Sequence, residues 1–156
     1  MAADVAEYAL ALLKQSPAVT ALVVDGATGI LETGDSSPKT IADAEATRLR
    51  TGNPAKVLAI TVQDAGEKAL DTQTTEQWVG IWLLDRERGY SNIRPLTKAI
   101  YAALQGQSTA LTSPLDGRTV VVELEFEART GHRHERSLEV DFEYMTFRTI
   151  VKLDLG

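Results

Sequence analysis

The chain has 156 residues, of which 44% are hydrophobic and 24% charged, and a formal net charge of -6 at pH 7. This is the size and composition of a single soluble globular domain. The chain contains no cysteine, which excludes a disulfide framework, thiolate zinc sites and cysteine nucleophiles. Its acidic balance argues against broad nonspecific nucleic-acid binding, which needs a positive field.

The first residues predict a helix rather than a targeting signal. In the stretch AADVAEYALALLKQSPAV, apolar residues recur at helical spacing from Val5 to Leu12, and Pro17 marks the end. A basic start before a long apolar core is missing, so we expect no signal peptide. The longest apolar run, residues 78–84, is too short to span a bilayer, and we expect no membrane partner. The next segment, AVTALVVDG, fits either a helical turn or a strand.

Residues 33–54 have the composition of a loop excursion. Long loops in compact domains are usually either functional or disordered. The stretches AKVLAITVQDAG and EQWVGIWLLDR then predict two strands. They are apolar at nearly every position, which indicates a sheet covered on both faces. The polar segment between them, DAGEKALDTQTTE, is too long for a tight hairpin.

The stretch DRERGYSNIRPLTKAIYAALQGQ is the clearest helix. Ser91 or Asn92 can cap its start, Pro95 is tolerated in a first turn, and Gly106 suits its end. The predicted apolar stripe consists of Ile93, Leu96, Ile100, Ala103 and Leu104.

The remaining residues predict two long strands. RTVVVELEFEART has period-two alternation, with Val120, Val122, Leu124 and Phe126 on one side and Glu123, Glu125 and Glu127 on the other. In SLEVDFEYMTFRTIVKLDL the apolar positions change parity, which predicts a bulge or bend near Tyr144 to Thr146. The predicted fold class is therefore α+β: a single domain with a mostly antiparallel sheet of about four strands and two main helices packed on one face.

Both histidines fall in the stretch TGHRHER, which we interpret as a hairpin connection with Gly131 at the turn. As a metal site it lacks a third ligand, and as a phosphate contact its local charge supports one or two contacts. The remaining interpretations are a solvated hairpin tip and a subunit or partner contact. The candidate contact residues here are Arg129, His132, Arg133, His134 and Arg136.

The acidic residues of the alternating strand, Glu123, Glu125 and Glu127, are further candidates. A solvated strand face explains them better than acid–base catalysis. No nucleophile elbow, Walker loop or dinucleotide-binding glycine pattern is present, so we expect no enzymatic activity and no cofactor. Trp78 and Trp82 share a strand face and are predicted to be core residues or interface anchors.

Three stretches carry a resemblance to a known family: YALALLKQSPAVTALVVDG, GYSNIRPLTKAIYAALQGQ and FRTIVKLDL. They resemble the opening segment, second helix and final strand of the tail terminator (tail-completion, head–tail joining) proteins of long-tailed bacteriophages. The resemblance implies a non-enzymatic virion protein at the tail–neck junction, assembled in the host cytoplasm.

The same resemblance implies a homo-oligomeric ring, with six subunits expected, that caps the tail tube. Its expected partners are the major tail tube protein and a neck or head-completion protein. Genomic DNA would pass through the lumen without specific binding, and the three glutamates are one candidate for the lumen wall. Residues 33–53 and 129–136 become candidate contact arms.

Two alternatives stay open on the sequence alone. A head-completion or stopper protein of the neck shares the small size, the ring and the lack of catalysis. A small-ligand-binding α+β domain belongs to a different class and would use Trp78, Trp82 and Tyr101 as pocket residues.

Overall fold

The structure is a computed structural model that describes residues 4–24, 26–32, 59–71, 74–86, 90–112, 117–131, 133–135 and 140–153. The predicted excursion at 33–54 lies outside these residues. The described helices are α1 (Val5–Lys14), α2 (Pro17–Thr20) and α3 (Tyr90–Leu104), with a 3-10 turn at Gly26–Gly29. The strands are β1 (Ile30–Glu32), β2 (Ala59–Ala69), β3 (Thr74–Arg86), β4 (Ser108–Thr112), β5 (Thr119–Glu123), β6 (Glu125–Arg129), β7 (Arg133–Glu135) and β8 (Val140–Leu153).

All eight strands belong to one sheet with the order β1-β2-β3-β8-β5-β4, and β6 and β7 also pair with β8. Only the β1–β2 pair, among those described, is parallel. β3 and β8 pair without a register shift from Thr74–Lys152 to Arg86–Val140. Along its other side β8 meets β5, β6 and β7 in turn, so it is the central strand of the sheet.

The predicted fold class is therefore wrong. The molecule is dominated by an eight-stranded sheet, whereas about four strands and two main helices were expected. The stretch STALT forms β4, which the sequence analysis missed because its five residues carry only one large apolar side chain. The alternating stretch 118–130 forms two strands, β5 and β6, since Leu124 leaves the ladder and exchanges backbone hydrogen bonds with Gly106 and Gln107.

The helices form where the capping chemistry places them. Asp4 accepts a hydrogen bond from the backbone N–H of Glu7 and caps α1, and Ser16 caps α2 in the same way. The ambiguous segment after α1 is thus a helical turn. α3 begins at Tyr90, so Ser91 and Asn92 lie inside the helix rather than capping it. None of the described helices is both long and apolar enough to cross a membrane.

The core lies between the helices and one face of the sheet. Leu13 of α1 and Ile93, Leu96, Ile100 and Leu104 of α3 are completely buried in it. The sheet contributes alternate residues, as expected when one face of each strand is buried. These core residues are Ile60 and Val62 of β2, Val79, Ile81 and Leu83 of β3, Val120 and Val122 of β5, and Met145, Phe147 and Val151 of β8.

Two further strand predictions are corrected by the structure. The segment 59–86 is a hairpin after all, because β2 continues through a bulge between Asp64 and Gly66 and Leu70 bonds back to Thr74. β8 has no bulge against β3 at Tyr144 to Thr146. From Asp141 to Val151 its odd-numbered residues are buried on the helix side. The apolar parity changes because Asp141 and Glu143 occupy buried positions while Phe142 and Tyr144 lie on the other face.

Candidate interaction surfaces

The stretch that contains both histidines is not a hairpin tip at Gly131. Thr130 donates its backbone N–H to the carbonyl of Tyr144, and β7 resumes pairing with β8 at Arg133. From Arg129 to Arg133 the chain advances four residues while β8 advances three, from Met145 to Phe142. Gly131, with a φ of 70°, occupies this irregularity, a backbone conformation that side chains rarely adopt. His132 and Arg136 lie outside the described residues.

A second irregularity, in β6, decides where Arg129 points. The register shifts between Phe126 and Ala128, so Glu127 is an extra residue in the ladder. A bulge of this kind changes the parity of the strand and turns later side chains to the other face. Phe126 and Arg129 are therefore both on the helix side, although strict alternation would separate them. Glu127 stays on the opposite side, where it contacts Trp78.

Three carboxylates are buried on the helix side at one end of the sheet. Asp85 and Asp141 are directly opposite each other on β3 and β8, and Glu143 is the next inward-facing residue of β8. Their exposed fractions are 0%, 4% and 0%, respectively. A buried ionised carboxylate is costly unless it is paired and hydrogen-bonded, so the neighbours of these residues determine whether they are tolerated.

Each carboxylate has a polar partner from a neighbouring element. Nδ1 of His134 lies 2.7 Å from Oδ1 of Asp141, and Asn92 of α3 donates a 3.0 Å hydrogen bond to Asp85. The Thr97 hydroxyl lies 3.1 Å from Oε2 of Glu143 and equally close to the carbonyl of Ile93 in its own helix. Since a hydroxyl has one hydrogen, it donates to one of them at a time.

Arg129 completes the environment of Glu143. Its Nε lies 2.8 Å from Oε1, yet that oxygen receives no aligned hydrogen bond from the described residues, so the contact is an ion pair by distance only. No group of three or more histidine, aspartate and glutamate side chains in the described ranges is placed to hold a metal. We infer that these polar contacts stabilise the packing of α3 against β3 and β8 and the pairing of β7 with β8.

The opposite side of the sheet, which we call the open face, carries aromatic residues. The ring of Trp82 lies 4.5 Å from that of Tyr144 and 5.7 Å from that of Phe142, measured between centroids. Trp82 also donates a 3.1 Å hydrogen bond to Gln63 of β2. Tyr144 lies across Gly80, where an added Cβ would be 2.3 Å from the phenolic oxygen. Glycine at position 80 is therefore required for the close approach of Tyr144 to the backbone of β3.

The three predicted glutamates share this open face but differ in their contacts. Glu127 accepts a 2.8 Å hydrogen bond from the indole of Trp78. Burial, together with the charge of Glu127, raises the pKa of Tyr144 above 10.0. Glu123 and Glu125 line a groove of about 270 Å³, and Arg148 and Lys152 line it with them. The groove balances two acids with two bases, so these glutamates do not form a uniformly acidic wall.

A second groove lies between α3 and the sheet edge and has a volume of about 260 Å³. We call it the α3–β6 groove; its lining residues are Thr97, Lys98, Tyr101, Phe126, Arg129 and Met145. The Tyr101 ring packs edge-on against Phe126, which packs edge-on against the buried Phe147. The aromatic contacts thus run from the surface into the core, and Lys98 and Arg129 add positive charge to the groove.

Tyr101 lies on the helix side, whereas Trp78 and Trp82 are on the open face. The three residues that the ligand-binding hypothesis grouped therefore do not line one pocket. Sequence reasoning identified Arg129 and His134 but missed their carboxylate partners and the α3 side of the groove. The sequence could have indicated that Tyr101 and Lys98 are surface residues, because neither belongs to the apolar stripe of α3.

Comparison with known proteins gives a similarity to a solved structure. No protein-family model and no curated protein matches the chain. A chain of the "Virion of native gene transfer agent (GTA) particle" matches with a TM-score of 0.57 and 16% sequence identity. The match covers 92% of this chain and 91% of that chain. The protein therefore has the fold of a chain found in a phage-like particle.

Proposed function

We propose that the protein is a structural component of a phage-like virion, and more specifically a tail terminator. In this role, copies of the chain form a ring, expected to be a hexamer, that caps the tail tube and joins the tail to the neck. The observation that carries the proposal is the shared fold with a virion chain over nearly the full length of both chains. The three stretches that resemble terminator proteins support the same assignment.

The surfaces of the molecule are suited to assembly. The three large hydrophobic side chains most exposed in the described ranges are Leu70, Tyr101 and Val121, and they lie on three different parts of the molecule. Exposed apolar residues rimmed by charged ones are typical of protein–protein contacts. The open face presents Val121 beside a groove of mixed charge, and the α3–β6 groove presents Tyr101 beside Lys98. A subunit with several partners needs such separate contact areas.

Electron microscopy of particles made with the gene interrupted tests this function, with the same strain complemented by the intact gene as the control. We expect overlong or unjoined tails beside filled heads. Normal tails beside heads that have lost their DNA would instead assign the protein to the neck, as a stopper. Intact, infectious particles would contradict any structural role in the virion.

A further inference from the structure

The tip of the β2–β3 hairpin is chemically complementary to the α3–β6 groove. Leu70 is 46% exposed at this tip, and Asp71 beside it is exposed as well. Glu67 and Lys68, the next charged residues along β2, have opposite charges, and Glu67 accepts a hydrogen bond from Gln77, so Asp71 gives the tip its net negative charge. The groove offers the opposite features: an aromatic and thioether floor of Tyr101, Phe126 and Met145, with Lys98 as the cation at its rim, since Arg129 is already ion-paired with Glu143.

The two features cannot meet within one molecule. The tip lies beyond the Thr74–Lys152 pair, whereas the groove is level with Met145 and Phe147 on β8. Six or more residues along β8 and three strand spacings across the sheet separate them by roughly 25 Å. Continuous pairing of β2 with β3, and of β3 with β8, holds the hairpin in the sheet and keeps it from folding back.

We propose that the hairpin tip of one copy docks in the α3–β6 groove of the next copy, with Leu70 seated against Tyr101 and Phe126. This inference rests on the proposed function, since it specifies the contact between ring subunits. Because tip and groove are different surfaces, the interface is heterologous, and each copy binds one neighbour on each side. A single apolar anchor in an aromatic pocket with charges at the rim is a common arrangement of strong interface contacts.

Disulfide trapping tests this contact directly, because the natural chain has no cysteine. The test protein carries Leu70→Cys and Tyr101→Cys in one chain. A disulfide needs Cα atoms within about 7 Å, so the pair cannot close within one molecule. We expect mild oxidation of assembled particles, and of the concentrated protein, to give a ladder of linked subunits on denaturing gels. The matched control is Val121→Cys with Tyr101→Cys, since Val121 is 43% exposed, close to the 46% of Leu70, but lies on the open face.

Charge exchange provides the second arm of the test. In the double-cysteine protein, Lys98→Glu should lower the yield of linked subunits about tenfold, because attraction at the rim becomes repulsion. Adding Asp71→Lys should restore the yield. If the double-cysteine protein stays monomeric in assembled particles, or links no better than the control, the proposed contact is wrong. A link from Tyr101→Cys to another virion protein would also overturn it and would assign the groove to that partner.

The outcomes separate this contact from the proposed function. A ladder in the purified protein combined with intact particles after gene interruption would uphold the contact and reject the terminator role. Defective tails after gene interruption, with no ladder in complemented particles, would uphold the role and reject the contact.

Discussion

The two faces of the sheet differ in the side chains that they carry. The helix-covered face buries three carboxylates, Asp85, Asp141 and Glu143, beneath α3 and the neighbouring strands. The open face, which no described helix covers, carries the Trp82 indole in contact with the rings of Tyr144 and Phe142. For these six residues the acidic side chains are inside and the aromatic ones outside, the reverse of the usual preference.

The difference shows that partners, rather than residue type, determine the face that a side chain occupies. On the helix side, Asn92, His134 and Thr97 supply polar contacts that make the buried carboxylates tolerable. On the open face, the aromatic rings cover one another, and both indole N–H groups have acceptors, Glu127 and Gln63. A tryptophan with a satisfied N–H is well suited to a half-buried surface.

The largest expected effect comes from removing a partner on the helix-covered face. Thr97→Val keeps the shape of the side chain but leaves the buried Glu143 without its hydroxyl contact, which we expect to cost about 1.5–3 kcal/mol of unfolding free energy. Urea unfolding followed by circular dichroism measures this loss. Thr97→Ser, which retains the hydroxyl, is the control and should lose clearly less. Equal stability of the valine and serine variants would show that the contact is unimportant.

A smaller effect is expected on the open face at Gly80. Alanine there would place a Cβ 2.3 Å from the Tyr144 hydroxyl oxygen and displace the ring, at a cost of about 1–3 kcal/mol. The same substitution in a Tyr144→Ala protein should cost much less, because the clashing ring is gone. A double-mutant cycle of thermal or urea unfolding measures the coupling. A penalty of equal size in both backgrounds would mean that backbone preference, and not the ring, is responsible.

The smallest effect is a pH dependence that belongs to the open face. Burial and the charge of Glu127 raise the pKa of Tyr144 above 10.0, so the folded protein keeps this proton after the unfolded chain has released it. Stability from this group is complete below about pH 10 and decreases as the pH rises toward the folded pKa. Tyr144→Phe should therefore lose less stability than the natural chain between about pH 9 and pH 11. Burial also raises the pKa of Tyr8, which stays in both proteins and cancels in the difference.

The sequence predicted some elements of the fold correctly and others wrongly. The apolar spacing of α3 and of β3 predicted both correctly, since each is strongly patterned and buried. The pattern failed in β8, where Asp141 and Glu143 take core positions while Phe142 and Tyr144 take the open face. Alternation alone assigned the aromatic residues to the core, and this produced the false bulge. Their true placement depends on contacts with residues distant in the chain, which periodicity does not contain.

The interaction surfaces were predictable to a smaller extent. Arg129 and His134 were candidates because both histidines of the chain and three arginines are concentrated in residues 129–136. The bulge at Glu127 turns Arg129 to the helix side of the sheet. There Arg129 contacts a buried carboxylate and lines the same groove as Tyr101. A bulge adds a single residue and leaves no distinctive composition. The alternation of the glutamates therefore could not predict which face of the sheet each side chain of β6 occupies.

The position of β8 in chain order has a consequence for folding during synthesis. It is the last described strand to be made, and β3, β5, β6 and β7 all take it as a partner. Until it emerges, the described strands can form only the β1–β2, β2–β3 and β4–β5 pairs, and one edge of β3 stays exposed with its apolar residues. Exposed edges of this kind recruit other chains, so the nascent protein should need chaperone protection most just before residue 153 leaves the ribosome.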